Sequence, residues 1–240
     1  MTVPSLSISS NLIAIHERIV SAARRSNRRS DEVSLMAVCK TFPPEAIIEA
    51  YEAGQRLFGE NKVQEFAEKA GALVSLSDAE FHMIGHLQSN KAAKAVELFH
   101  AVDSLDSAKL AARLNAAAEA TGKILPVLIE INVGGEEAKS GVAPESPELS
   151  EILNGVSGWR NLRIRGLMTV PPYTEDPEGA RPYFRKLRAL RDQLAARNDS
   201  GVELQELSMG MSHDFEIAID EGSTCVRIGT AIFGERPKRK

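Results

Sequence analysis

Short apolar runs alternate with amphipathic stretches along the whole of this 240-residue chain. The amphipathic stretches carry apolar residues at helical spacing, as Leu12, Ile15 and Ile19 do in the first of them. The apolar runs predict eight strands, at residues 34–40, 56–59, 80–85, 99–104, 125–133, 163–170, 203–209 and 224–229. Eight strands separated by helices favour an α/β fold, a single (β/α)8 TIM barrel with an extra N-terminal helix.

The chain shows no linker and no change of composition that would divide this pattern. We therefore expect residues 1–240 to form one domain, with the extra helix within about 1–30 and a basic tail at 235–240. A doubly wound open sheet is the alternative, but that fold more often has a glycine-rich fingerprint after its first strand, and none is present here.

Composition and charge exclude several classes of function. The net charge of −4 and the pI near 5.8 argue against a nucleic-acid partner, despite basic clusters at residues 24–29 and 236–240. Cys39 and Cys225 give no disulfide framework, and no Cys/His spacing resembles a zinc site. No signal peptide and no run long enough to span a bilayer is apparent, so we expect a cytoplasmic protein without a membrane partner. No exposed apolar stripe indicates a dimer, so we expect a monomer.

A lysine ends the first predicted strand, and chemistry in such barrels lies at the C-terminal ends of the strands. Because side chains alternate along a strand, Lys40 shares a face with Met36 and Val38, while Cys39 points the other way. A lysine at the rim of an apolar core is a candidate for Schiff-base formation with an aldehyde, because desolvation favours the neutral amine. The alternative is a lysine whose amine simply reaches solvent at a strand end.

Small and hydroxyl residues follow the last two predicted strands, where barrels often bind phosphate. Ser208 and Met209 begin the loop after strand seven, and Gly229 and Thr230 follow strand eight. Small residues let backbone N–H groups approach an anion, and the two hydroxyls add donors. An aldehyde-reactive lysine combined with a phosphate site indicates pyridoxal 5′-phosphate (PLP) as the cofactor.

Arg227 lies in the eighth predicted strand, on the same face as Gly229. Arginine stays protonated, so if it faced the pyridine nitrogen of the cofactor it would keep that nitrogen unprotonated. A neutral pyridine is a poor electron sink, so such a site would hold the cofactor but would stabilise a carbanion next to it only weakly. The alternative is a structural ion pair, for example with Glu235 or Asp214.

The chain resembles the pyridoxal phosphate homeostasis proteins, a family similar in fold to the N-terminal barrel of bacterial alanine racemase. The resemblance rests on ordered segments: 37–41 (AVCKT), 58–61 (FGEN), 82–91 (HMIGHLQSNK), 135–141 (GEEAKSG), 165–168 (RGLM), 207–212 (LSMGMS) and 226–234 (VRIGTAIFG). It implies that Lys40 is the aldimine lysine, that Ser208, Gly229 and Thr230 hold the phosphate, that Asn61 lies near the ring and that Arg227 faces its nitrogen. The chain departs from the family pattern at Lys62, where tyrosine is common, and at His213, where an acidic residue is common.

The resemblance implies a protein of intracellular PLP homeostasis, which buffers the cofactor or delivers it to apo PLP-dependent enzymes. Whether the chain is itself an enzyme stays open, and a low-activity PLP-dependent amino-acid racemase or lyase is the alternative. Two-base racemisation needs a base on each side of the substrate carbon. Tyr51 and Tyr183 fall in predicted helices, and only Tyr173 follows a strand. His82 is expected to be structural and His86 to lie at the rim of the barrel.

Overall fold

The chain folds into a closed barrel of eight parallel strands in a computed structural model that describes residues 7–136, 140–197 and 201–235. The strands are β1 Ser34–Val38, β2 Leu57–Glu60, β3 Glu80–Met83, β4 Ala101–Leu105, β5 Leu125–Glu130, β6 Leu162–Met168, β7 Val202–Ser208 and β8 Cys225–Ile228. Their spatial order follows the chain, and β8 closes the barrel against β1 from the pair Ser34–Cys225 to the pair Ala37–Ile228. The predicted (β/α)8 barrel is confirmed.

Helices follow the strands in the order expected for this fold. They are α1 Ile8–Arg25, α2 Pro44–Glu52, α3 Val63–Ala70, α4 Ala92–Leu98, α5 Ala108–Ala120, α6 Pro147–Gly155, α7 Arg181–Ala195, α8 Phe215–Asp220 and α9 Thr230–Phe233. Most predicted strands extend one or two residues beyond the observed ones, because the apolar run continues into the first loop residue. The sequence pattern missed α9, since four residues are too few to show a helical period.

The extra N-terminal helix is present as α1. Ser7 caps it by accepting a hydrogen bond from the Ser10 amide, and Arg24 and Arg25 occupy its last turn, where cations suit the helix dipole. The apolar face of α1 is buried against α2, α8 and α9. Arg25 also pairs with Glu216 at 3.3 Å, so this part of the first basic cluster is held against the barrel.

Side chains alternate along β1 as the sequence predicts. Leu35, Ala37 and Cys39 belong to the apolar core between the strands and the surrounding helices, whereas Met36 and Val38 point away from it. The neighbouring strands β3 and β4 hold a polar pair, in which the His82 ring nitrogen lies 3.2 Å from an Asp103 carboxylate oxygen. His82 is thus hydrogen-bonded to a neighbouring strand and does not line the cavity described below, which agrees with the expectation that it is structural.

No helix within the described ranges is both long enough and apolar enough to cross a membrane. The predicted basic tail falls almost entirely outside the described residues, which end at position 235.

Candidate functional site

A cavity of about 530 Å³ opens at the C-terminal ends of the barrel strands. The predicted site residues Lys40, Asn61, Arg227, Gly229 and Thr230 all line it, although they come from opposite ends of the chain. Closure of β8 against β1 is what brings them together, since it places the loop after β8 beside the end of β1. The barrel therefore assembles one polar cavity from separate segments.

The end of β1 presents Lys40 to this cavity. Val38 and Lys40 both line the cavity, while Cys39 is fully buried on the opposite face, with its Sγ 3.3 Å from Glu60 Oε1. Burial and the nearby charge of Glu60 raise the pKa of the Cys39 thiol well above its ordinary value. The prediction that Cys39 and Lys40 face different sides is confirmed, so Cys39 does not share the cavity with the amine.

Asn61 reaches the cavity because the ends of β2 and β3 approach each other closely. The Ile84 amide donates to the Glu60 carbonyl at 2.9 Å, and the next residue, Gly85, packs directly on the Asn61 backbone. A Cβ at Gly85 would lie 2.4 Å from the Asn61 carbonyl oxygen. Only glycine fits without moving one of the two strand ends.

Arg227 is the buried cation of the site, with 4% of its surface exposed. Its Nη1 donates to Ser208 Oγ and its Nη2 to the Thr169 carbonyl, both at 2.7 Å. In the described part of the chain no carboxylate lies within ion-pairing distance of it, so the alternative pairs with Glu235 or Asp214 are not formed. Burial lowers the pKa of the guanidinium, because the charged form loses its hydration. An acceptor inside the cavity would therefore stabilise this group.

The predicted phosphate residues divide into two groups. Gly229 and Thr230 line the cavity, and the Ser212 hydroxyl joins them by accepting a hydrogen bond from the Ala231 amide at 3.3 Å. Ser208 and Met209 are fully buried and do not line it. Ser208 accepts the hydrogen bond from Arg227 described above. The part that Ser208 and Met209 take in binding stays a prediction.

Glu130, which the sequence analysis did not select, also lines the cavity. It ends β5 with 6% of its surface exposed, and Ser140 donates to its Oε1 at 2.9 Å. Its Oε2 is buried and has no hydrogen-bond partner among the described residues. Burial raises the pKa of this carboxyl above its ordinary value. The sequence did contain a signal for Glu130, namely a single charged residue in the most apolar predicted strand. The same kind of signal identified Lys40.

The other titratable residues of interest lie at or near the rim. His86 lines the cavity with Nδ1 2.9 Å from Asp106 Oδ2, as expected for a rim residue, and His213 lines it from the loop after β7. Lys62 lines a neighbouring hollow that shares Asn61, Gly85 and His86 with the cavity. Tyr173 is exposed and lies outside the cavity lining, with its ring tilted against that of His213 at a centroid distance of 5.6 Å.

Known proteins resemble this chain over almost its whole length. The family model described as "Alanine racemase, N-terminal domain" matches residues 10–237. The pyridoxal phosphate homeostasis protein of Aquifex aeolicus is 48% identical over 225 residues, which cover 94% of this chain and 96% of the relative.

Two solved structures are similar in both sequence and fold. The structure of PipY from Synechococcus elongatus with PLP bound has a TM-score of 0.79 and 39% identity, over 92% of this chain and all of the other. The crystal structure of an unknown protein from Bifidobacterium adolescentis has a TM-score of 0.87 and 36% identity, over 94% of each chain. By the extent of these matches, the chain belongs to the pyridoxal phosphate homeostasis protein family, and the resemblance noted in its sequence is confirmed.

Proposed function

We propose that this protein binds PLP in the cavity at the barrel mouth, with the cofactor held through Lys40, and that it serves in PLP homeostasis. One observation carries the proposal: an amine, a guanidinium and a glycine–hydroxyl loop converge on a single cavity, and PipY, 39% identical, has been solved with PLP bound. Each of the three groups matches a different part of the cofactor, namely its aldehyde, its ring nitrogen and its phosphate.

The residues present fit this cofactor. A Cβ at Gly229 would lie 3.3 Å from the Val38 carbonyl oxygen, so glycine suits the tight junction between β8 and β1. Because glycine has no side chain, an anion in the cavity can approach the backbone there. Thr230 and Ser212 supply hydroxyl groups beside it. Arg227, which also lines the cavity, is a buried guanidinium whose neighbours within hydrogen-bond distance are uncharged. When bound, PLP supplies an aldehyde that condenses with a primary amine.

The position of Lys40 suits a carrier of the cofactor. Lys40 and Gly229 are only half-buried and Thr230 is exposed, so a ligand in the cavity would remain accessible to solvent. An exposed attachment is more readily reversed by water or by another amine than one enclosed by protein. Accessibility thus favours storage and release of PLP over catalysis on a bound substrate.

The attachment is tested by mass spectrometry of the protein after incubation with PLP and reduction with borohydride. We expect the added mass on the peptide that contains Lys40, and we expect Lys40→Ala to abolish it. Lys62→Ala is the matched control, because Lys62 lies in the neighbouring hollow and should leave labelling unchanged. Labelling of Lys40→Ala at the wild-type level would refute the assignment.

The racemase or lyase alternative is separated from a carrier by chiral analysis of alanine, serine and threonine incubated with the PLP-loaded protein. Turnover above that of free PLP, and lost in Lys40→Ala, would favour the enzyme. A carrier should produce none, and should instead restore activity when mixed with an apo PLP-dependent enzyme.

We also propose that the protein acts as a single-domain cytoplasmic monomer whose partners are apo PLP-dependent enzymes. Light scattering tests the monomer, for which we expect a mass near the 26.1 kDa of one chain. Transfer of PLP to an apo-enzyme faster than its release into a dialysis bath would support direct partnership.

A further inference from the structure

A cluster of three charged side chains, of which Glu60 and Lys69 are buried and Glu65 is partly buried, lies on the outer side of β1, directly behind Lys40. Lys69 of α3 places its Nζ 2.8 Å from Glu60 Oε1 and 3.2 Å from Glu65 Oε1. Glu60, at the end of β2, is completely buried, and only 9% of the Lys69 side chain is exposed. Burying the Lys69–Glu60 pair costs desolvation energy, and matched apolar packing is often at least as stable, so stability alone does not account for the pair.

The cluster is attached to the backbone on both sides of Lys40. Lys69 Nζ donates to the carbonyl of Cys39 at 3.3 Å, and Glu65 Oε1 accepts a hydrogen bond from the Thr41 amide at 2.5 Å. The residue before Lys40 and the residue after it are therefore both held by charge-assisted hydrogen bonds from α3. Lys40 itself is left with its side chain on the cavity side.

The backbone held in this way has an unusual conformation. Thr41 has a φ of +67°, in the left-handed region that β-branched residues rarely adopt. Such a conformation persists only where surrounding contacts enforce it, and it is common at functional sites. The Cys39 carbonyl and the Thr41 amide belong to the two peptide planes that flank the Lys40 Cα, so holding both of them fixes the backbone of Lys40 and hence the direction in which its side chain leaves the chain.

We propose that Glu65 and Lys69 are positioning residues for the Lys40 amine, acting through the Thr41 amide and the Cys39 carbonyl. The inference rests on the proposed function, in which Lys40 attaches to the PLP aldehyde. The cluster does not touch the cavity, so it has no direct contact with a ligand there. Its effect should therefore fall on the covalent attachment and spare the sites for phosphate and ring.

Pyridoxine 5′-phosphate provides the comparison that isolates this effect. It shares the ring and the phosphate with PLP but carries an alcohol in place of the aldehyde, so it cannot attach to an amine. A variant that misplaces the amine should bind PLP more weakly while it binds pyridoxine 5′-phosphate as before. A variant that merely loosens the fold should weaken both ligands.

Glu65→Ala is the main variant, because it removes the acceptor of the Thr41 amide and leaves the Lys69–Glu60 pair intact. We expect about a tenfold loss of affinity for PLP, the usual effect of losing one charge-assisted hydrogen bond, and a change within about twofold for pyridoxine 5′-phosphate. Glu65→Gln keeps a carbonyl acceptor and should restore most of the affinity. Glu68→Ala, at an exposed position on the same helix, is the matched control.

The second variant, Glu60→Gln with Lys69→Met, removes both members of the buried pair and so leaves neither charge alone in the core. This variant should also bind PLP more weakly and pyridoxine 5′-phosphate as before, because it loses the hydrogen bond from Lys69 to the Cys39 carbonyl. Equal affinity of Glu65→Ala and wild type for PLP would overturn the inference, as would parallel losses for both ligands. If borohydride fails to label Lys40 in the wild-type protein, the proposed function itself fails.

Discussion

Gly85→Ala tests whether close contact between the ends of β2 and β3 shapes the cavity. The new Cβ would lie 2.4 Å from the Asn61 carbonyl oxygen, 2.9 Å from its Cα and 3.0 Å from its carbonyl carbon. All three atoms belong to backbone, so no side chain can rotate away. Gly85 cannot easily retreat either, because Ser104 Oγ donates to its carbonyl at 2.7 Å.

The size of the effect follows from the overlap. Ordinary contact begins near 3.4 Å, so one of the two strand ends must move by roughly 1 Å. Overpacking of this kind costs about 1–3 kcal/mol, and a midrange loss lowers the melting temperature of a domain this large by roughly 4–8 °C. The displacement falls on Asn61, so we also expect weaker binding of PLP.

Thermal unfolding followed by circular dichroism measures the first effect, and titration of the folded protein with PLP measures the second. Gly71→Ala is the matched control. Gly71 has a φ of −60°, and a Cβ there would meet nothing within 4 Å, so alanine should stabilise the protein by about 0.4–1 kcal/mol. A Gly85→Ala protein that melts with the wild type and binds PLP equally well would refute the reasoning about this contact.

Three further perturbations test other parts of the structure. Arg227→Lys should lower the free energy of unfolding in urea by about 1–3 kcal/mol, because the single nitrogen of lysine cannot match the positions of the two guanidinium nitrogens that donate to Ser208 and Thr169. An unchanged urea midpoint would contradict this. Burial raises the pKa of Glu130, so its contribution to stability is present below the unfolded value of about 4.5 and is lost as pH rises from there through the higher pKa of the folded state. Glu130→Gln should therefore stabilise the protein at pH 8 and have little effect at pH 4, and a pH-independent difference between the unfolding curves would disprove it. Phe184→Ala, on the fully buried face of α7, should cost about 3–5 kcal/mol in the same urea assay, whereas a loss below 1 kcal/mol would mean that the site repacks.

The barrel could be predicted because its signals are local and repeated. Each strand is a short apolar run, and each helix has its own apolar face, so the alternation appears without knowledge of tertiary contacts. Boundaries were less accurate, as at β1, where the apolar run continues past Val38 to Cys39 although the strand has ended. Burial produces the same sequence signal in a strand and in the first residues of its loop.

The site could be predicted where a charge interrupts an apolar run. Lys40 and Arg227 were found in this way, and the same reasoning applied to β5 would have found Glu130. Ser208 shows the limit of such reasoning, because its position in the loop pattern predicts contact with phosphate, whereas the structure places its hydroxyl against Arg227. Sequence position alone does not reveal which side of a strand end a hydroxyl occupies.

The sequence by itself determined the alternation of strands and helices, the separation of Lys40 from Cys39 onto opposite faces, and the residue types needed for an aldehyde and a phosphate. Only the tertiary structure decided that Lys40 and Gly229 line one cavity, and that Glu65 and Lys69 hold the backbone on either side of that lysine. The physical reason is that periodicity depends on near neighbours in the chain. Closure of β8 on β1 and the docking of α3 instead depend on contacts between segments far apart in sequence.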